Sequence, residues 1–192
     1  KFFEVNIYTS RISKDYQSKH LSCNFIPFPD NTKGIAFRLF FELLYAIETF
    51  IRLLFTSSDC YYITSPSFFN CISAASYCII FNKKYIVDIR DDYPRVFFDT
   101  GLLKRNSLAG RFLSWVEKTI YGKSLLVVAA TEGLFKNIRK VYSGELYLLR
   151  NGFSETVFSY NPEKYDSFTL VLHGNLSSFQ GIDIVLELGK LL

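Results

Sequence analysis

The residues of this chain that could do chemistry directly follow its predicted strands. An arginine at such a place can neutralise a phosphate or donate two parallel hydrogen bonds, and an aspartate can orient a hydroxyl or accept its proton. A glycine at a strand end lets backbone N–H groups approach a diphosphate closely. In an open parallel sheet these segments share one edge, where ligands bind. The candidates are Ser65-Pro66, Arg90-Asp91-Asp92, Thr131, Asn151-Gly152 and His173-Gly174-Asn175.

Each candidate also has an ordinary structural interpretation. Arg90 and Asp91 could pair with each other and cap the helix after their loop, but we favour a functional role for both. Ser65 could contact a substrate, although a serine before Pro66 is also typical of a plain turn. We expect Asp92 to be solvated.

The later candidates are weighed in the same way. We expect His173 to pack at the end of its strand, and we expect Asn151-Gly152 to make a turn. For Gly174-Asn175, composition alone does not decide between a tight turn and a contact to a diphosphate.

The elements that must position these residues alternate between strand and helix. Near-continuous apolar runs, such as the one from Lys84 to Ile89, are typical of parallel strands buried on both faces. Polar positions that can cap helices, Asn106 or Ser107 and then Thr131, precede helical periodicity. The pattern predicts an α/β fold, a Rossmann-like parallel sheet flanked by helices. Predicted strands cover 2–8, 24–28, 60–64, 84–89, 125–130, 146–149 and 168–172, and predicted helices include 35–55, 68–81 and 180 onward.

The same pattern predicts a domain boundary. Residues 1–153 form the first domain, and the polar segment 154–166, with no clear period, is typical of a linker. A fresh strand and helix in 167–192 then begin a second Rossmann-like domain.

Composition excludes several classes of function. The net charge is only +4, so a nucleic-acid partner is not predicted. The four cysteines form no metal-binding spacing and are expected to be buried reduced thiols, as in a cytoplasmic protein. Dinucleotide-binding, Walker, serine-hydrolase and zinc-protease motifs are missing from the sequence.

Two segments raise the question of a membrane. The apolar run 35–55 carries Arg38, Glu42, Glu48 and Arg52, so we predict an amphipathic helix with i,i+4 ion pairs and no transmembrane span. Around Trp115, basic and aromatic residues could form a peripheral membrane contact. The alternative, which we prefer for Trp115, is an ordinary amphipathic helix with its aromatic residues in the core.

The order of the motifs resembles that of a known enzyme family. Ser65-Pro66 is followed by KKYIVDIRDDYP, a helix with Trp115 and Glu117, VVAATEGL, LLRNGF and LVLHGNLSSFQGIDIV. This series, which covers nearly the whole chain, is similar to the family 4 glycosyltransferases, retaining enzymes of the GT-B fold. The closest resemblance is to the branch that builds bacterial capsule, O-antigen or exopolysaccharide. Tyr93 replaces the tryptophan that the family usually carries, and Gln180-Gly181 replaces Lys-Gly.

The resemblance implies a function for each site residue. It implies transfer of a sugar from a nucleotide-sugar donor to a glycan or polyprenyl-linked acceptor, at the inner face of the cytoplasmic membrane, without metal or other cofactor. Asp91 is the catalytic candidate, and the substrate-binding candidates are Ser65, Arg90, Thr131, Gly174 and Asn175.

The resemblance also implies that part of the enzyme lies outside this chain. The family's first strand would precede Lys1 and its E-x7-E motif would follow Leu192, so this segment is expected to be inactive alone. Two alternatives stay open, a nucleotide-sugar epimerase of the same fold and a non-catalytic glycan-binding or scaffold relative.

Overall fold

The computed structural model describes residues 5–9, 21–25, 35–65, 67–154 and 181–191, together with 156, 167, 169 and 171. The chain divides into two compact units, Lys1–Asn151 and Gly152–Leu192. Most of the predicted linker, most of the predicted strand 168–172, and both Gly174 and Asn175 lie outside the described residues.

The first unit is an α/β structure built on a parallel sheet. Its strands are ordered β3-β4-β5-β6, every neighbouring pair is parallel, and helices lie between them along the chain. A separate parallel pair is formed by β1 and β2. The predicted parallel α/β sheet is therefore confirmed, although β2 lies three residues before its predicted place. The elements are β1 (Val5–Thr9), β2 (Leu21–Phe25), α1 (Ile35–Leu54), β3 (Tyr61–Thr64), α2 (Phe68–Ile80), β4 (Tyr85–Ile89), α3 (Arg95–Asp99), α4 (Leu108–Lys123), β5 (Leu126–Ala129), α5 (Glu132–Arg139), β6 (Leu146–Leu148) and, in the second unit, α6 (Ile182–Leu191).

The core of the first unit lies around β4 and β5. Tyr85, Val87 and Val127 are completely or almost completely buried, as the apolar runs of parallel strands require. The Tyr85 hydroxyl donates a 2.7 Å hydrogen bond to the backbone carbonyl of Ile120, which ties the start of β4 to α4. Burial of these large side chains supplies the main stabilisation of the sheet.

Local sequence signals fix several helix ends. The Ser107 hydroxyl accepts a hydrogen bond from Gly110 N–H at 3.1 Å, and Thr131 caps α5 through Leu134 N–H at 3.2 Å. Both predicted capping positions are confirmed, with Ser107 chosen over Asn106. Glu48 and Arg52 form the predicted i,i+4 ion pair at 2.7 Å. Among the described residues, no helix is long and apolar enough to cross a membrane.

One prediction about α4 is wrong. Trp115 is 61% exposed, Phe112 58% and Leu108 86%, so these large side chains lie outside the core. The opposite face of the helix is buried through Ile120 and Tyr121 instead. Helical periodicity defines two faces of α4. The buried face is the one that carries Ile120 and Tyr121, and the polar end of Tyr121 is satisfied by its hydrogen bond with Glu117.

Glu117 lies on the inner face of α4 beside Tyr121. Burial raises the pKa of Glu117 from 4.5 to about 7, while a hydrogen bond to Tyr121 acts in the opposite direction. A carboxyl whose pKa is higher in the folded than in the unfolded state stabilises the fold when protonated. That contribution is present below about pH 4.5 and is lost as the pH rises towards 7.

Replacing Glu117 by Gln should therefore change how stability depends on pH. Gln keeps an oxygen for the Tyr121 hydroxyl but never ionises, so at pH 8 the variant should be more stable than the wild type by about 2 kcal/mol. At pH 4.5 the two proteins should differ little. Urea denaturation across this range measures the effect, with the exposed Glu145→Gln as the control that follows the wild type. Parallel profiles for Glu117→Gln and wild type would contradict the prediction.

Candidate functional site

Ser65 joins the ends of two neighbouring strands. It is buried directly after β3, and its hydroxyl oxygen accepts hydrogen bonds from the backbone N–H of Arg90 at 2.9 Å and of Asp91 at 3.4 Å. Its own N–H donates to the carbonyl of Asp88 at 3.0 Å. The accepting capacity of the Ser65 oxygen is thus used by backbone groups, and only its O–H hydrogen is left for a ligand.

The Arg90 guanidinium is held at two points. Its Nε donates to Asp88 Oδ2 at 2.9 Å, and its Nη1 donates to Asn151 Oδ1 at 2.6 Å. Asp88 is only 1% exposed, whereas 41% of the Arg90 side chain is exposed. A guanidinium has five N–H donors, so at most three remain after these two bonds, and the Tyr62 side chain also forms a hydrogen bond with Arg90.

Arg90 does not pair with Asp91, and that structural interpretation is wrong. Its ionic partner Asp88 lies two residues earlier, and residues two apart in a strand share one face of the sheet. Asn151 follows β6, and β5 lies between β4 and β6. The Arg90 side chain therefore crosses the carboxyl end of β5 to reach its second partner.

Asp91, the next residue along the chain, has an exposed carboxylate. No described side chain donates a hydrogen bond to the Asp91 carboxylate. Partial burial raises the pKa of this carboxyl above its ordinary value. A carboxylate with a raised pKa binds a proton more strongly, which suits a group that accepts a proton from a hydroxyl.

Asp92 is not free in solvent, contrary to prediction. Its carboxylate accepts a 2.7 Å hydrogen bond from Asn137 Nδ2 in α5 and lies 3.9 Å from Arg95 Nη1. Its backbone carbonyl also accepts from Val96 N–H at the start of α3. Asp92 therefore fixes the loop after β4 to two helices and has a structural role.

Three aromatic rings hold the same loop from the other direction. Tyr93 stacks on Phe68 at the start of α2, with ring centroids 5.1 Å apart, and lies 5.0 Å from the Phe97 ring. The Tyr93–Pro94 peptide bond is cis, and Pro94 is buried. Edge and stacked contacts of this kind stabilise a loop by roughly 0.5–1.5 kcal/mol per pair.

Thr131 occupies the corresponding position after β5. Its hydroxyl oxygen caps α5, so the O–H hydrogen is the part of the side chain that could reach a ligand. The next residue, Glu132, pairs with Arg150 after β6. The end of each sheet strand thus carries a polar group, and hydrogen bonds directly connect Ser65, Arg90 and Asn151.

Two members of this cluster have roles that were not predicted. Asp88 was treated as part of an apolar strand, and Asn151, although a candidate at a strand end, was expected to make a turn. A lone aspartate within a run such as YIVDI is itself a signal, because a buried carboxylate requires a cation or several hydrogen bonds. No comparable signal identifies Asn151 as the second partner.

The two buried cysteines of the described residues offer no nucleophile. Burial raises the pKa of the Cys71 and Cys78 thiols to about 12, so both remain protonated at neutral pH. Both are free and buried as predicted, whereas Cys60 is exposed, contrary to prediction. Within the described part of the chain, no cluster of three or more His, Cys, Asp or Glu side chains could hold a metal ion.

Replacing Ser65 by Ala should loosen the loop after β4. The variant leaves the Arg90 N–H without its acceptor, at a cost of about 1–2 kcal/mol in the free energy of unfolding. Hydrogen exchange at the Arg90 and Asp91 amides should accelerate more than exchange in β5. The exposed Ser143→Ala is the control and should change neither measurement. Unchanged exchange at Arg90 in Ser65→Ala would show that the hydroxyl does not hold this backbone.

Comparison with known proteins finds no matching protein-family model, curated protein or solved structure. The features that bear on function are therefore the fold, the cluster at the carboxyl ends of the strands, and the motif resemblance. Of these, the cluster gives the most specific chemistry.

Proposed function

We propose that this chain belongs to a retaining glycosyltransferase of the GT-B fold. It transfers a sugar from a nucleotide-sugar donor to a glycan or lipid-linked acceptor in the synthesis of bacterial surface polysaccharide. The observation that carries the proposal is the oriented Arg90 guanidinium at the carboxyl edge of a parallel sheet, followed in the same loop by the open carboxylate of Asp91. Ligands of open α/β sheets bind at this edge.

Arg90 is suited to bind oxygen-rich ligands. Its position is fixed by Asp88 and Asn151, so little conformational entropy is lost when its remaining N–H groups bind a ligand. Those N–H groups can bond to two sugar hydroxyls or to two oxygens of a phosphate. Because the buried Asp88 offsets its charge, Arg90 contributes more to orientation than to net attraction.

Asp91 and Thr131 complete the proposed substrate contacts. The Asp91 carboxylate orients the attacking acceptor hydroxyl or takes its proton, and its raised pKa favours that role. The Thr131 hydroxyl donates its hydrogen to the substrate while its oxygen caps α5. Ser65 acts mainly by positioning the backbone of Arg90 and Asp91.

The donor side of the reaction is assigned to the second unit. By the motif resemblance, Gly174 and Asn175 would contact the donor diphosphate, which backbone N–H groups at a glycine can approach closely. Positive side chains and helix N-termini would stabilise the leaving diphosphate, and no metal is needed for that role.

Arg90→Lys tests the proposal in protein expressed from its whole reading frame. Lysine keeps the charge but cannot donate a fork of hydrogen bonds, so turnover should fall about 10²-fold or more. Release of nucleoside diphosphate from a panel of nucleotide sugars, with glycan acceptors, measures it. Arg52→Lys is the matched control, because that side chain is similarly exposed and is ion-paired to Glu48 within α1, and it should retain activity.

The same assay distinguishes the alternatives. Epimerised donor without acceptor would indicate an epimerase, and glycan binding that depends on Arg90 without any turnover would indicate a binding protein. Equal turnover in wild type and Arg90→Lys would remove Arg90 from the proposed site.

A further inference from the structure

An exposed aromatic ridge runs along the outer face of α4. It consists of Leu108, Phe112 and Trp115, which follow one another at i, i+4 and i+7 and therefore share one face of the helix. The Phe112 and Trp115 rings are tilted against each other with their centroids 5.9 Å apart. No described residue covers this ridge, although large aromatic side chains are normally among the groups that folding buries.

Basic side chains border the ridge. At about 100° per residue, Arg111 and Lys118 lie on one side of it and Lys123 on the other, and all three are exposed. Lys104 and Arg105, also exposed, lie just before the helix. Their backbone carbonyls pack so closely on Gly110 that any larger residue there would overlap them. Gly110 thus holds the two basic residues against the first turn of α4.

The only acid of α4, Glu117, lies on the inner face of the helix, opposite the ridge, and interacts with Tyr121. It offsets part of the charge of Arg105 and Lys118, and the Arg105 guanidinium lies over the Phe98 ring. The outer face of α4 itself combines the apolar ridge with the exposed Arg111, Lys118 and Lys123 and presents no carboxylate from α4. The basic residues and the glutamate are separated because they lie on different faces of the helix.

Charge and shape together decide between the ligands that such a face could bind. A second copy of the chain would place the basic residues of one face against those of the other, and like charges repel each other. Nucleic acid would satisfy the cations, but regular phosphate binding makes no use of a Leu–Phe–Trp ridge. An anionic bilayer satisfies both features, because apolar side chains insert below the headgroups while Lys and Arg reach the phosphates.

We propose that the outer face of α4 docks on an anionic membrane surface, with Leu108, Phe112 and Trp115 inserted between the lipids. The helix lies in the plane of the interface and does not cross the bilayer. This inference goes beyond glycosyl transfer and does not depend on it, because it rests on α4 alone.

The protein carries its own reporter for this test, because Trp115 is its single tryptophan. Vesicles of phosphatidylcholine with about one third phosphatidylglycerol should shift Trp115 fluorescence to the blue, and brominated lipids should quench it. Pure phosphatidylcholine should bind at least tenfold more weakly, since each basic residue near an anionic surface contributes about fivefold.

Matched variants distinguish the contribution of the apolar ridge to vesicle binding from that of the basic residues. Phe112→Ser should weaken vesicle binding about tenfold, whereas Leu125→Ser, at an exposed apolar residue outside α4, should not. The double variant Arg111→Glu with Lys118→Glu should lose binding to anionic vesicles, and Lys84→Glu with Lys136→Glu should retain it. Circular dichroism of each variant checks that it is folded. The two control variants show whether a loss of binding is specific to the outer face of α4.

Three outcomes would overturn the proposal. The first is a Trp115 spectrum that anionic vesicles leave unchanged. The second is binding of a single-stranded oligonucleotide that vesicles cannot displace, which would assign the face to nucleic acid. The third is self-association in sedimentation that Phe112→Ser abolishes, which would assign the face to a second copy.

Discussion

The structure depends on one buried carboxylate, that of Asp88. Placing an ionised carboxyl inside a parallel sheet costs several kcal/mol unless a cation and further hydrogen bonds compensate it. The chain supplies that cation from Arg90, two residues later on the same strand face. Because Arg90 must reach Asp88, its guanidinium lies across the end of β5, where it also bonds to Asn151. The backbone of the loop after β4 has to follow a path that allows both contacts. The contacts of Ser65, Asp92 and Tyr93 all stabilise that path.

The loop after β4 is held by contacts of three different kinds. Backbone N–H groups bond to the Ser65 hydroxyl, the Asp92 carboxylate bonds to α5, and the Tyr93 ring packs between α2 and α3. Since these contacts come from separate elements, the loop can be ordered without regular structure of its own. Asp91 is the exception, because no described side chain restrains its carboxylate. A well-held loop that leaves one carboxylate unrestrained, and so able to accept a proton, is the arrangement expected of a binding or catalytic site.

Much of the fold was predictable, because its signals are local. Apolar strand runs, the capping hydroxyls of Ser107 and Thr131, and the spacing of Glu48 and Arg52 each act within a few residues. The second partner of Arg90 was not predictable, because Asn151 is 61 residues away along the chain. Trp115 was misplaced for a related reason: periodicity defines two faces of α4 but not which of them meets the sheet. The glutamate and tyrosine on one face, which look polar in sequence, satisfy each other when buried.

The bond between Arg90 and Asn151 has a mechanical consequence. Asn151 is the last residue of the first compact unit, and Gly152 begins the second. A ligand that draws the Arg90 guanidinium away from Asn151 would therefore remove a side-chain bond from the residue at which the first unit ends.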